Sequence, residues 1–294
     1  MSRVLRTLCA CAVLLGFGAH TWAADPDTVA VISSEASAYL EAFTAFQKAY
    51  GAPVRLYNAA KGRPEIPKEA KTVVAFGSRA ASQNYPSRLN LIYTMAPGFR
   101  LDSKTREGKS VHISVLPDFG LILSKLKALQ PGLKKLYIFW TLREFDQYLE
   151  SGAARGAELG IEVKAVRART TEELPALLRQ SLADMDAFWL PPDPFLLNAE
   201  TLTLLREFSW GNSVPFYAPT KGITREGATA SVAVSFSEMG ISAAKSVKAV
   251  HEGSSPAAVI HPDRVELTLN RVSAKKCRLE PGDAALRQVD QFFP

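Results

Sequence analysis

The groups able to do chemistry are few and widely spaced. Beyond the first 23 residues the sequence has three histidines, His112, His251 and His261, and a single cysteine, Cys277. None of the histidines stands at metal-ligand spacing from another His, Cys or carboxylate. No GxSxG elbow, P-loop or HExxH occurs. His112 alternates with apolar residues, as a histidine in a half-buried strand does, and His251 lies near a helix end, where a cation complements the dipole. Cys277, in "SAKKCRLEP", follows two lysines and has no histidine near it in sequence; it reads as a structural thiol. "AFGSRAAS" holds one glycine only and is a poor phosphate loop. With no nucleophile–base pair in view, the chain reads as a binding protein rather than an enzyme, with no cofactor and no metal.

Polar residues do collect at the ends of apolar runs. "AFWLPPDPFLLN" (187–198) is the sharpest case: a buried strand stops at Pro191 and Pro192, which lack N–H donors, and a carboxylate, Asp193, follows at once. Similar exits occur at Ser33-Ser34, Gly77-Ser78-Arg79, Met95-Ala96-Pro97, Trp140-Thr141 and Thr220-Lys221. Ligands of open α/β sheets bind outside the carboxyl ends of the strands, where loops lead into helix N-termini. Ser33, Ser34, Gly77, Ser78, Trp140, Thr141, Asp193 and Lys221 are therefore the candidate ligand-binding residues. Each also has an ordinary role. Asp193 before Pro194 suits an N-cap, and so do Ser33, Ser34 and Ser78. Thr141 with Glu144 suits a capping box. Trp140 suits a core, and Lys221 suits solvent.

The elements that would position these groups alternate. Strands are expected at 28–33, 53–58, 71–78, 89–98 and 110–115, with a helix after the first, where Tyr39, Phe43, Phe46 and Tyr50 recur at helical spacing before Gly51. A second series follows, with strands at 134–140, 161–168, 186–190 and 214–218 separated by helices. An extended segment at 228–235, a helix at 237–253 and a late alternating strand at 264–270 complete it. This order predicts an α/β fold of two Rossmann-like lobes, each a parallel sheet covered by helices and joined by crossing strands. The first lobe is expected to hold 24–116 and about 236–260, the second 117–235 and about 261–294.

The composition, 47% apolar and 22% charged, is that of a globular protein. Residues 1–23 have a basic start, an apolar core and small residues before position 24, the pattern of a cleaved signal peptide. Removal of 1–23 lowers Lys+Arg from 35 to 33 against 29 Asp+Glu, a net charge of +4. With no dense basic cluster, nucleic acid is not a partner. No second long apolar run exists, so the mature chain is expected to be soluble and periplasmic, resting on its core rather than on disulfides.

Several stretches resemble a known family. "VVAFGSRAAS", "LILSKLKALQPGLKKLYIFW", "DAFWLPPDP", "SVAVSFSEMGISAAKSVKAVHEGSSP" and "LTLNRVSAKKCRLEP" are similar to the substrate-binding subunits of ABC transporters in the tryptophan/tyrosine-binding group. These are periplasmic binding proteins of the first structural type. The likeness covers most of 27–294 and is firmest in the second half. It implies an extracytoplasmic solute receptor, monomeric, with three crossings between its lobes and an ABC permease as partner. It places the pocket at Gly77, Ser78, Thr141, Asp193 and the crossing near Ser231–Ser235, and the ligand as amino-acid-like or heterocyclic. The alternative is an envelope sensor or partner-binding protein on the same fold, motivated by the short first lobe.

Overall fold

The computed structural model describes residues 25–99, 101 and 106–294; the expected signal peptide lies outside them. The chain opens with β1 (Thr28–Ile32), α1 (Ser37–Tyr50), β2 (Arg55–Asn58), β3 (Thr72–Phe76), α2 (Ser78–Ala81), β4 (Asn90–Thr94) and β5 (Ser110–Ile113). It crosses to α3 (Phe119–Leu129), β6 (Lys135–Trp140), α4 (Asp146–Glu158), β7 (Glu162–Arg167), α5 (Leu174–Ser181), β8 (Ala187–Trp189), α6 (Ala199–Asn212), β9 (Phe216–Ala218), α7 (Lys221–Arg225) and β10 (Ala230–Ala233). It returns through α8 (Phe236–His251) and β11 (Val259–Ile260), then crosses again to β12 (Glu266–Asn270), α9 (Arg271–Lys276), α10 (Asp283–Leu286) and β13 (Gln291–Phe293).

Two sheets result. The first has the order β11-β5-β4-β3-β1-β2 and is parallel throughout. The second has the order β13-β12-β10-β9-β8-β6-β7. The chain passes between them three times, after β5, after β10 and after β11.

Local chemistry explains the helices. Phe46 is fully buried, and Phe43 meets Phe76 edge-on across α1 and β3. Gly51 ends α1 in the left-handed region (φ 87°), its N–H donating to Gln47 O. Asp118, Asn198 and Ser235 cap α3, α6 and α8 by accepting from the third residue onward. α8 lies against α1, where a Cβ on Gly240 would stand 2.0 Å from Ala42 O. Only a bare Cα lets the two backbones approach so closely.

Two features depart from expectation. The short β11 follows no periodic pattern; it exists because its residues pair with His112 and Ile113 of β5. Nor is the second sheet purely parallel: β12 runs antiparallel to β10, with Glu266 opposite Ala233. The parallel strands run outward to their carboxyl ends at the cleft. β12 enters from the first sheet through the third crossing, so it starts at the cleft and runs the opposite way.

Candidate functional site

The cleft between the sheets holds a cavity of about 670 Å³. One side comes from the exits of β1, β3 and β4: Ser33, Ser34, Tyr39, Ser78, Arg79, Met95 and Pro97. The other comes from the exits of β8, β9 and β10 and the start of β12: Pro192, Thr220, Lys221, Ala233–Phe236 and Glu266. Apolar walls surround a few polar groups, as in small-molecule sites of this size.

Ser33, Ser34, Ser78 and Lys221 line this cavity, as the strand-end reading expects. Ser33 does not cap its own helix. Its Oγ accepts from the Ala80 N–H at 3.0 Å, so β1 supplies a cap to α2, which has no side-chain cap of its own. Gly77 makes this possible. Its φ of 97° and ψ of 161° suit glycine alone, and a Cβ there would lie 2.3 Å from Ser33 Oγ. Ser78 Oγ donates to Pro97 O at 3.1 Å, bracing the loop after β4. In that loop Met95 holds a φ of 55°, uncommon for a side-chain-bearing residue. Gly77 thus shapes the wall without lining it.

Four other candidates point elsewhere. Asp193 is fully buried. One carboxylate oxygen accepts from Thr141 N (2.6 Å), Thr141 Oγ1 (2.7 Å) and Leu142 N (3.2 Å); the other accepts from Phe195 N (3.0 Å). The carboxylate is filled by protein donors and clamps the exit of β6 to the exit of β8. Thr141 is its partner, not a helix cap. Trp140 is buried in the core with its indole N–H donating to Asp146 at 2.8 Å. Ser231 shares a 2.7 Å hydrogen bond with Thr268, both buried. None of Trp140, Thr141, Asp193 and Ser231 lines the cavity.

Two charged residues absent from the sequence-based candidates do line it. Arg79 is exposed on α2, and no ion pair engages it among the described residues. Glu266 pairs with Lys221 at 3.2 Å. Glu266 escapes a reading based on strand exits because it begins an antiparallel strand. Among the described residues no group of His, Cys, Asp and Glu could hold a metal, and no helix is long and apolar enough to cross a membrane. Cys277 is buried, with burial raising its thiol pKa, and contacts Ser209 Oγ at 3.2 Å, as a structural thiol would.

A second cavity, about 600 Å³, lies beside the first; Pro97 and Val115 line both. His112 lines it, its pKa pushed down to about 4, mainly by burial and further by His261. A depressed histidine favours the fold above its unfolded pKa of 6.5 and loses that contribution as pH falls toward 4. Between pH 7 and pH 4.5 the loss from this residue should be about 2 kcal/mol. Urea unfolding of the parent and of His112→Phe checks this: the variant's stability should fall less steeply with acid, and identical slopes would contradict it.

The comparisons agree with this architecture. A family described as ABC transporter substrate binding protein matches residues 122–292. A ligand-free, open substrate-binding protein from Clostridium difficile superposes with a TM-score of 0.65 at 14% identity, over 91% of this chain and 99% of that one. A conserved domain protein from Vibrio cholerae gives 0.63 at 14%, over 91% and 100%. The ABC domain in complex with L-Trp from Streptococcus pneumonia gives 0.62 at 16%, over 91% and 100%. At such identities the likeness is one of fold. No curated protein matches in sequence. Two α/β lobes, their sheets parallel except where β12 meets β10, crossed three times are the type 1 periplasmic-binding-protein fold, and the family match spans more than half of the residues: the chain belongs to the ABC transporter substrate binding protein family.

Proposed function

We propose that the protein is the extracytoplasmic receptor of an ABC uptake system and clasps a zwitterionic, amino-acid-like ligand between its lobes. The observation that carries this reading is the charge pattern of the first cavity: Arg79, which no ion pair engages among the described residues, on one side, Glu266 with Lys221 on the other. Arg79 would take the ligand carboxylate, supported by the hydroxyl of Ser34. Glu266 would take its ammonium. The apolar wall from Tyr39, Met95, Phe236 and Met239 would hold the side chain. Closure then shifts the population toward a state that the permease reads.

The Streptococcus relative holds L-Trp, and the sequence resembles the tryptophan/tyrosine-binding group. The ligand class proposed for this chain rests on its own charges.

Charge-assisted hydrogen bonds contribute about 1.5–3 kcal/mol each. Arg79→Ala and Glu266→Gln should therefore each weaken amino-acid binding by about tenfold or more, measured by calorimetry, with little change in the unliganded protein's unfolding. Unchanged affinity in both variants would overturn the assignment. A second reading, envelope adhesion or sensing, is favoured by Phe195, which is 58% exposed just beyond the Asp193 clamp. The Clostridium relative is described as having adhesive properties.

A further inference from the structure

The second cavity differs in kind from the first. Six rings line it: Tyr93, Phe99, His112, Phe145, Tyr148 and His261. They come from β4 and its exit, β5, α4 and the residue before it, and the third crossing, so the first sheet, a helix of the second lobe and their connection contribute.

The rings are ordered. Tyr93 and His112 stack at 4.8 Å and 5°, and Phe99 meets Tyr93 edge-on at 5.2 Å. Tyr148 and His261 stack at 5.8 Å and 25°. One stack belongs to the first sheet. The other joins a helix of the second lobe to the third crossing, so a planar molecule entering the cavity meets rings from both lobes.

Charge separates the two cavities. The first holds Arg79, Lys221 and Glu266; among the described residues lining the second there is no Asp, Glu, Lys or Arg. Burial pushes the phenols of Tyr93 and Tyr148 upward and His112 downward, so these three are neutral near neutral pH. The described lining offers an amino-acid zwitterion no charged partner.

The cavity still offers hydrogen bonds. Among the described residues no hydrogen bond engages the ring of His112, whose neutral form carries one N–H donor and one acceptor nitrogen. His261 Nδ1 lies 2.9 Å from Leu116 O. A carbonyl only accepts, so Nδ1 carries the hydrogen, and in the neutral ring Nε2 is left as an acceptor.

We infer that this second cavity is a separate binding site for an uncharged heteroaromatic ring bearing both an N–H donor and a ring-nitrogen acceptor. The ring stacks among the aromatic side chains while His112 and His261 meet its polar edge. Because Pro97 and Val115 form a common wall, an occupant here bears on the loop that shapes the first cavity. The assignment does not depend on the ligand proposed for the charged cavity.

Benzimidazole and adenine are suitable probes, titrated into full-chain protein that has been unfolded and refolded to remove bound molecules. Near neutral pH the protein should bind at least one of them saturably, one molecule per chain. His112→Phe keeps a ring but removes both nitrogens, and should weaken binding at least tenfold. Ser151→Trp provides a second test that does not disturb the core: Ser151 is exposed on α4 and lines the cavity, so an indole there should block it and remove binding. Failure of both probes to bind at millimolar concentration would overturn the assignment, as would affinities unchanged in both variants.

Discussion

Asp193→Ala should lower stability by about 3 kcal/mol, and the unfolding midpoint by about 5 °C, before any ligand is added. The residue is fully buried, and four protein donors converge on its carboxylate. Alanine leaves the N–H groups of Thr141, Leu142 and Phe195 and the Thr141 hydroxyl without an acceptor. Each donor left unsatisfied costs about 1–3 kcal/mol where water cannot reach it, and half-exposed Thr141 and Leu142 recover part of that. Asp193→Asn keeps one oxygen but turns an amide NH2 toward donors, so it should cost nearly as much despite its matching shape. Thermal unfolding of the unliganded proteins checks both. A variant as stable as the parent, with only its ligand affinity reduced, would restore Asp193 to the binding site.

Gly77→Ala should cost about 3 kcal/mol by two mechanisms that can be separated. Its backbone lies in a region open to glycine alone, and leaving that region or holding it costs about 1–3 kcal/mol. The added Cβ would also meet Ser33 Oγ at 2.3 Å and Tyr39 Cε1 at 2.7 Å, an overpacking cost of similar size. Ser33→Gly in the same chain removes the first clash but not the backbone strain. Ser33→Gly also loses the cap on Ala80 N–H, so the double variant should lose less in a urea titration than the two single losses combined, a non-additivity expected of residues in contact. Strict additivity would show that the contact with Ser33 does not matter. Since Ser33 and Tyr39 line the charged cavity, the single variant should also bind ligand less well.

The elements were legible because their signals are local. Tyr39, Phe43, Phe46 and Tyr50 recur at helical spacing, and the runs before Gly77 and Pro191 are too short and apolar for anything but buried strands. The exits of β1, β3 and β9 were legible for the same reason, and their Ser33, Ser34, Ser78 and Lys221 do face the cleft. What the sequence hid was non-local. Nothing in "WLPPDP" shows that a loop 52 residues earlier will fill the carboxylate of Asp193. Nothing in "RVELTLN" shows that the strand will run antiparallel and so bring Glu266 to the cleft. The aromatic cavity was hidden likewise, since Tyr93, His112, Tyr148 and His261 meet only after both lobes and their crossings are in place.

A charged cavity that receives an amino-acid-like ligand should make the protein's stability depend on amino acids. The most direct measurement is the unfolding midpoint of refolded, ligand-free protein with a pool of amino acids, set against the same protein with a pool of neutral sugars. A ligand at one hundred times its dissociation constant adds about 2.7 kcal/mol, a rise of about 5 °C or more for a chain of this size. That rise should occur with the amino acids and not with the sugars, and should vanish in a chain carrying both Arg79→Ala and Glu266→Gln. A midpoint unmoved by any amino acid, or moved equally in the double variant, would contradict the amino-acid assignment.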